Sequence, residues 1–308
     1  MKIRTLLLLF CVGIFTKPLL AQHQEMDKLD SIIRLANTSF LDDDKNLNYL
    51  KPYQILIENS SVLEPLDSYA KSHYVDNLEV VSSFLKTQNP YKEIISGNSL
   101  SEAVSTQNPY AFLEKEIRDQ RLFMLNEAHD TPEHRLFAAS LLDLLYDKGF
   151  RYLALEALSW DDEAINQRGY PISSSGYYLR EAYFADFVRR AIALGFTILP
   201  YEQKPGSGRS INERETNQAN HLIEYLNEMP NSKIFVYAGY AHIQKKSAME
   251  DIKWMAERVI DSLDIDFLSV DQTNLNKSQE KEVQLVSLKN QDIDETLILF
   301  EGVYDALL

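Results

Sequence analysis

The chain has 308 residues, 45% of them hydrophobic, and a formal net charge of −15 at pH 7. This is enough apolar material for one large core, or one core with a smaller partner. The negative balance weighs against nucleic acid and anionic membrane as partners, because both repel an acidic surface.

The first residues read MKIRTLLLLFCVGIFTKPLLAQ. Lys2 and Arg4 precede an apolar stretch from Leu6 to Phe15, and Ala21 closes a cleavage-type sequence. That pattern predicts an export signal over 1–21, too short and wrongly flanked for a spanning helix. A periplasmic or extracellular location is therefore expected. Removing the segment takes away Lys2, Arg4 and Lys17 with no acid, and moves the charge from −15 to −18. It also takes Cys11, the only cysteine. Phe10 stands where lipoprotein cleavage needs a small residue, so a lipid anchor is not expected. Chemistry in the exported chain must then rest on nitrogen and oxygen groups. No later run approaches the roughly 20 apolar residues of a membrane span.

Two textures follow, a helical region over 22–118 and an α/β domain over 119–308. In the first, Leu29, Ile32, Ile33 and Ala36 recur at helical spacing, as do Tyr74, Leu78, Val81 and Leu85. The pentapeptide TQNPY occurs at 87–91 and 106–110 and is expected to break helices, since proline disfavours helical geometry in the residue before it. From about 120, nearly continuous apolar runs alternate with amphipathic stretches. RLFML, RYLALE, TILPYE, KIFVYAG and DFLSVD read as strands, with helices near 132–148, 177–194, 211–228 and 248–261. This alternation predicts βαβ units and a mostly parallel sheet flanked by helices. EVQLVSL (282–288) and TLILFEG (296–302) suggest an antiparallel extension.

DKGFRYLALE (147–156) and ALGFTILPYE (193–202) share a layout of Gly-Phe, strand and Glu, with seven residues from glycine to glutamate in each. The glycines suit helix ends in left-handed geometry, and the two glutamates should reach the same sheet edge. Ligands of open α/β sheets bind beyond the carboxyl ends of the strands. Each run ends there in ionisable groups: Glu127 and His129, Glu156, Glu202, His242 and Asp271. Several charges on one apolar edge need partners, such as a metal ion, a bound anion, or Arg209 and Arg214.

Structural explanations compete for some of these residues. Asp130 or Thr131, Pro132 and Glu133 suit a helix start. His134 shares a face with Phe137 and Leu141, as a core-edge histidine would. His129, between strand and helix, has no such role, whereas Glu202 and His242 could simply face solvent. His221 has no neighbouring cluster in sequence, and Arg214, Asn217 and Asn220 fit a solvated helix face. YPISSSGYY (170–178) and KPGSGRS (204–210) suit mobile loops beside the site. Neither carries a Gly-x-Ser-x-Gly elbow, so Ser207 is not a candidate nucleophile, and HExxH is absent.

Asn126-Glu-Ala-His129, a helix, Ala-Leu-Glu156, an arginine-bearing helix and Gly239-Tyr-Ala-His242 together resemble the superfamily of Tiki-type proteases, erythromycin esterases and ChaN-type haem-binding proteins. Two Gly-x-x-His motifs mark its Tiki-type members. The second is matched here, and the first carries Asn126 in place of glycine. The resemblance covers roughly 120–245.

It implies a common pocket lined by Glu127, His129, Glu156 and His242; Arg214, Glu202 and Arg209, expected at the same sheet edge, are candidates to bind substrate. In the esterase branch the histidine at position 129 is a general base on water, its ring oriented by Glu127 or Glu156. In the Tiki-type branch His129, His242 and Glu156 would hold a divalent metal, zinc or manganese. The haem-binding branch would use His129, His134 or a tyrosine. Three readings stay open from sequence: a hydrolase acting on an ester or amide of a small molecule or peptide, a haem-binding protein, and a relative without catalysis.

Overall fold

The structure, a computed structural model, describes residues 26–40, 48–64, 68–85, 107–208, 210–247, 251–274, 285–288 and 304–308. The expected export signal, the first TQNPY, Arg209 and the run 296–302 lie outside these residues. The chain divides between Ser96 and Gly97 into two compact units.

In the first unit residues 26–38 form helix α1, followed by α2 (Leu50–Glu58), a 3-10 turn (Ser60–Leu63) and α3 (Ser68–Leu85). The helical spacing read from sequence is the buried one: Leu29, Ile32, Ile33 and Ala36 of α1, and Tyr74, Leu78 and Val81 of α3. The Tyr74 hydroxyl donates to the Leu56 carbonyl and ties α3 to α2.

The second unit is an α/β fold. It begins with α4 (Pro109–Glu116) at the second TQNPY, which starts a helix where the sequence suggested a break. Asn108 accepts a hydrogen bond from the Ala111 amide as N-cap, and Pro109 sits in the first turn, where its missing N–H costs nothing. The five strand readings are all present: β1 (Leu122–Glu127), β2 (Phe150–Leu155), β3 (Thr197–Pro200), β4 (Lys233–Gly239) and β5 (Leu268–Asp271). Short β6 (Val286–Ser287) and β7 (Ala306–Leu307) complete a sheet ordered β3-β2-β4-β1-β5-β7-β6. Every pair is parallel except β6–β7. β6 lies in the first run expected to form an antiparallel extension and pairs antiparallel with β7, while the second run, 296–302, lies outside the described residues.

Helices cover both faces. One face packs Phe123, Leu125, Leu153, Leu155, Phe235 and Tyr237 against α5 (Pro132–Ser140), α6 (Leu142–Asp147) and α8 (Ala182–Leu194). The other packs Leu122, Met124, Ala154, Ile234 and Val236 against α9 (Ile211–Glu228) and α10 (Met255–Leu263). Between them, α7 is a single turn (Ile165–Arg168). Burial of each such side chain contributes about 1.5–3 kcal/mol, so the sheet is a firm platform for its edge residues.

Three expected helices differ in extent. The 132–148 stretch divides at Leu141, whose amide turns to the Ala138 carbonyl three residues back. The 177–194 helix starts at Ala182, because Glu181 accepts hydrogen bonds from the Tyr183 and Phe184 amides and caps it, leaving Tyr178–Arg180 as a 3-10 turn. The last runs over Met255–Leu263 instead of 248–261. Gly149 and Gly195 have φ of +91° and +104°, the left-handed helix ends that the repeated layout predicts.

Candidate active site

Strand alternation sorts the end of β1. Phe123 and Leu125 face α5 and α8, and Glu127 follows them; Leu122 and Met124 face α9 and α10, and Asn126 follows those. Glu127 thus meets Arg135, a completely buried residue of α5. The guanidinium donates from Nε to Glu127 Oε2 at 2.7 Å, from Nη2 to Glu127 Oε1 at 2.9 Å, and from Nη1 to Glu181 Oε2 at 3.1 Å. Nη2 also donates to the His129 carbonyl at 2.8 Å, so the arginine fixes both the carboxylate and the loop beyond it. Burial pushes the Glu127 pKa up, but the charge of Arg135 and the hydrogen bonds from His129 and Arg135 outweigh it and hold it at about 2.

The Nδ1 of His129 lies 3.0 Å from Glu127 Oε1, which fixes the ring orientation. Tyr178 stacks on that ring at 4.0 Å between centroids, and Tyr240 meets it edge-on at 5.1 Å. Glu127, His129, Glu156, Tyr178, Tyr237 and Gly239 line a cavity of about 10 Å³, room for about one water molecule.

A second cluster adjoins the first. Glu156 follows β2 and accepts the Gly239 amide on Oε2 at 2.6 Å. Arg214, near the start of α9, donates to both Glu156 and Glu202. Its pKa is raised by these carboxylates against its own burial. The Glu156 carboxyl is held well below its usual range, because His242 and Arg214 outweigh the upward push of burial. His242, in a 3-10 turn after β4, has Nδ1 2.7 Å from Glu215 Oε1 and Nε2 3.4 Å from Glu156 Oε1. Burial works against a charged ring there, yet Glu156 and Glu215 carry its pKa to about 10. Arg214 Nη1 lies 3.2 Å from Nε2 of the same ring.

The structure therefore brings Glu127, His129, Glu156, His242, Glu202 and Arg214 to one rim. Arg214 belongs to the site and not to a solvated face. Asp271 is completely buried and accepts from Asn126, Thr273 and Asn274. His134 accepts the Ala128 amide on Nδ1 at 3.0 Å and so shapes the turn into α5. His221 holds the Tyr201 carbonyl at 2.9 Å and packs on Trp160.

The divalent-metal set does not fit these positions. Among the described residues no three metal-ligating side chains are grouped to hold an ion. The cationic Arg214 already lies on Glu156 and Glu202 and beside His242, so a divalent ion there would have to displace it. The His129 ring is covered by Tyr178 on one face, and its Cε1 and Nε2 lie close to Gly239.

Sequence reading missed Arg135, Glu181, Tyr178 and Glu215. Arg135 falls in helical register with Ala138 and Ala139, and Glu215 with Gln218, Ala219 and Leu222, all buried. A charged residue inside an otherwise apolar helix stripe was the available signal. For Tyr178 and Glu181, in irregular chain, no comparable signal existed.

No protein-family model matches this chain, and no curated protein is similar to it in sequence. Among solved structures, one described as the crystal structure of bacterial protein toxins is similar over 82% of this chain and 65% of its own, at 17% identity and a TM-score of 0.39. The type III effector HopBA1 is similar over 68% of this chain and 98% of its own, at 13% identity and a TM-score of 0.39. RRSP, a MARTX toxin effector domain from Vibrio vulnificus CMCP6, is similar over 80% and 56%, at 16% and 0.39. The chain spans less than two thirds of the first and third of these. Likeness of this degree bears on neither family nor activity.

Proposed function

We propose that this protein is an exported hydrolase that cleaves an ester or amide bond of a small molecule or peptide, with His129 as general base. The observation that carries the reading is the Arg135–Glu127–His129 relay, buried at Arg135 and Glu127 and ending beside a cavity for about one water molecule. Glu127 remains ionised, orients the ring through Nδ1 and stabilises the imidazolium that forms.

In the proposed step His129 takes a proton from water as the water oxygen bonds to the substrate carbonyl carbon. Negative charge gathers on the carbonyl oxygen, and the cationic His242 and Arg214 supply electrostatic stabilisation nearby. As the tetrahedral intermediate collapses, the carbon–oxygen or carbon–nitrogen bond breaks and the His129 proton passes to the leaving atom. Glu156 and Glu202 hold Arg214 in place. The superfamily resemblance of the two x-x-His motifs supports the same assignment. The export reading rests on the composition of residues 1–21.

The test is a panel of chromogenic aryl esters, lactones and anilides assayed with wild-type protein, His129→Ala and Glu127→Gln. Wild-type turnover is expected, with a loss of about 100-fold or more in kcat for each variant. A panel left intact by wild-type protein, or His129→Ala turning over at the wild-type rate, overturns the proposal.

A further inference from the structure

The backbone that carries the second cluster turns sharply just after β4. Tyr240 has a φ of +41°, in the left-handed region that non-glycine residues rarely occupy. On one side of it, the Gly239 amide binds Glu156 and the Gly239 backbone lies against the His129 ring. On the other side, His242 meets Glu156 and Glu215. Any relaxation of Tyr240 toward ordinary geometry swings both neighbours. Something must hold the turn.

That contact comes from Asn126, which is completely buried. Its Nδ2 donates to the Tyr240 carbonyl at 2.7 Å and also to Asp271 Oδ1. Its Oδ1 accepts the Gln272 amide at 2.7 Å, and its own carbonyl accepts from Gln272 Nε2 at 2.6 Å. The carboxamide thus donates through both its N–H bonds and accepts on its oxygen, whereas a carboxylate has no donor and a hydroxyl only one. Asp271, bound in turn by the Asn274 amide and the Thr273 hydroxyl, anchors it to the end of β5. An aspartate at 126 would set a second carboxylate against Asp271, and glycine or alanine would leave the Tyr240 carbonyl without this donor.

We propose that Asn126 is a positioning residue: braced on Asp271 and Gln272, it holds the left-handed turn at Tyr240 and so sets how Gly239 and His242 meet Glu156. The side-chain hydrogen bonds of Asn126 go to Tyr240, Asp271, Thr273 and Gln272, on the side of the turn. The inference stands on geometry, and only its kinetic arm rests on the hydrolase reading.

The test is a double-mutant cycle with Asn126→Ala and Tyr240→Gly, because glycine adopts positive φ without support. Two readouts are followed: hydrogen exchange of the Gly239 amide by NMR, and kcat and KM on the best ester of the panel. Asn126→Ala is expected to speed Gly239 exchange about 10-fold and lower kcat about 10-fold, with KM changed less than about 3-fold. In the Tyr240→Gly background both effects of Asn126→Ala should shrink to within about 3-fold, a coupling that general loss of packing does not produce. Equal effects in both backgrounds, or unchanged exchange and kcat in Asn126→Ala, overturn the proposal. If Asn126→Ala does not fold, Asn126→Ser is read in the same cycle with the same outcomes deciding. If no ester is turned over but the exchange coupling is present, the hydrolase reading fails and the role of Asn126 stands.

Discussion

Gly239 lies so close to His129 that a methyl group on its α-carbon would sit 2.4 Å from the ring Cε1 and 2.6 Å from Nε2. Its own backbone is ordinary, at φ −83° and ψ 145°, so alanine would be tolerated there but for the ring. The same added atom would come within 3.2 Å of Glu156 Oε2. Gly239→Ala should therefore displace His129 and lower kcat about 100-fold, with a stability loss of only about 1–3 kcal/mol. Steady-state kinetics beside thermal melting checks this, and undiminished turnover would show that the close approach is irrelevant to the chemistry.

Arg135 pairs with both Glu127 and Glu181, and it has no exposure to solvent. Its removal takes away the guanidinium shared by two buried carboxylates. Arg135→Ala should cost about 3–5 kcal/mol in urea denaturation. Arg135→Met combined with Glu127→Gln should cost less than Arg135→Ala alone, because one of those charges is gone. A smaller loss for the single variant than for the double would contradict the pairing.

Stability should depend on pH at both ends of the range. His242 is raised from 6.5 to about 10 by Glu156 and Glu215 against burial, so its contribution is complete below about 6.5 and is lost as pH rises through about 10. Glu127 is lowered from 4.5 to about 2 by Arg135 and His129 against burial, so its contribution is present above about 4.5 and is lost as pH falls through about 2. Melting temperature followed across pH should fall along both limbs. Glu215→Gln should move the alkaline limb to lower pH, and an unmoved limb would assign it to another group.

Arg214 fills the position that a divalent ion would take between Glu156, Glu202 and His242. Turnover by the wild-type protein should therefore survive a chelator within about 2-fold. In Arg214→Ala those acidic groups lose their cation, and added zinc or manganese should raise the melting temperature of this variant more than that of the wild type. Chelator-sensitive wild-type turnover would reverse the assignment and make Arg214 a bystander.

The parallel sheet was legible because its strands are covered on both faces and read as unbroken apolar runs, and the seven-residue echo placed Glu156 and Glu202 on one edge. The gathering of Glu127, His129, Glu156 and His242 followed from that edge alone. Hidden from such reading were interactions at right angles to the strands. Arg135 and Glu215 belong to helices, and nothing local says which helix turn will face which strand end. The second TQNPY misled for a related reason: proline before a helix and proline after one look alike in a short window, and only the capping bond from Ala111 to Asn108 distinguishes them.

β1 and β4 carry Glu127 and Gly239 at their ends, and each is hydrogen-bonded to a neighbour on both sides within the sheet. Such strands do not fray independently; they open only when the surrounding ladder gives way. Heat should accordingly abolish function and melt the second unit as a single event, with no dormant yet folded intermediate between them.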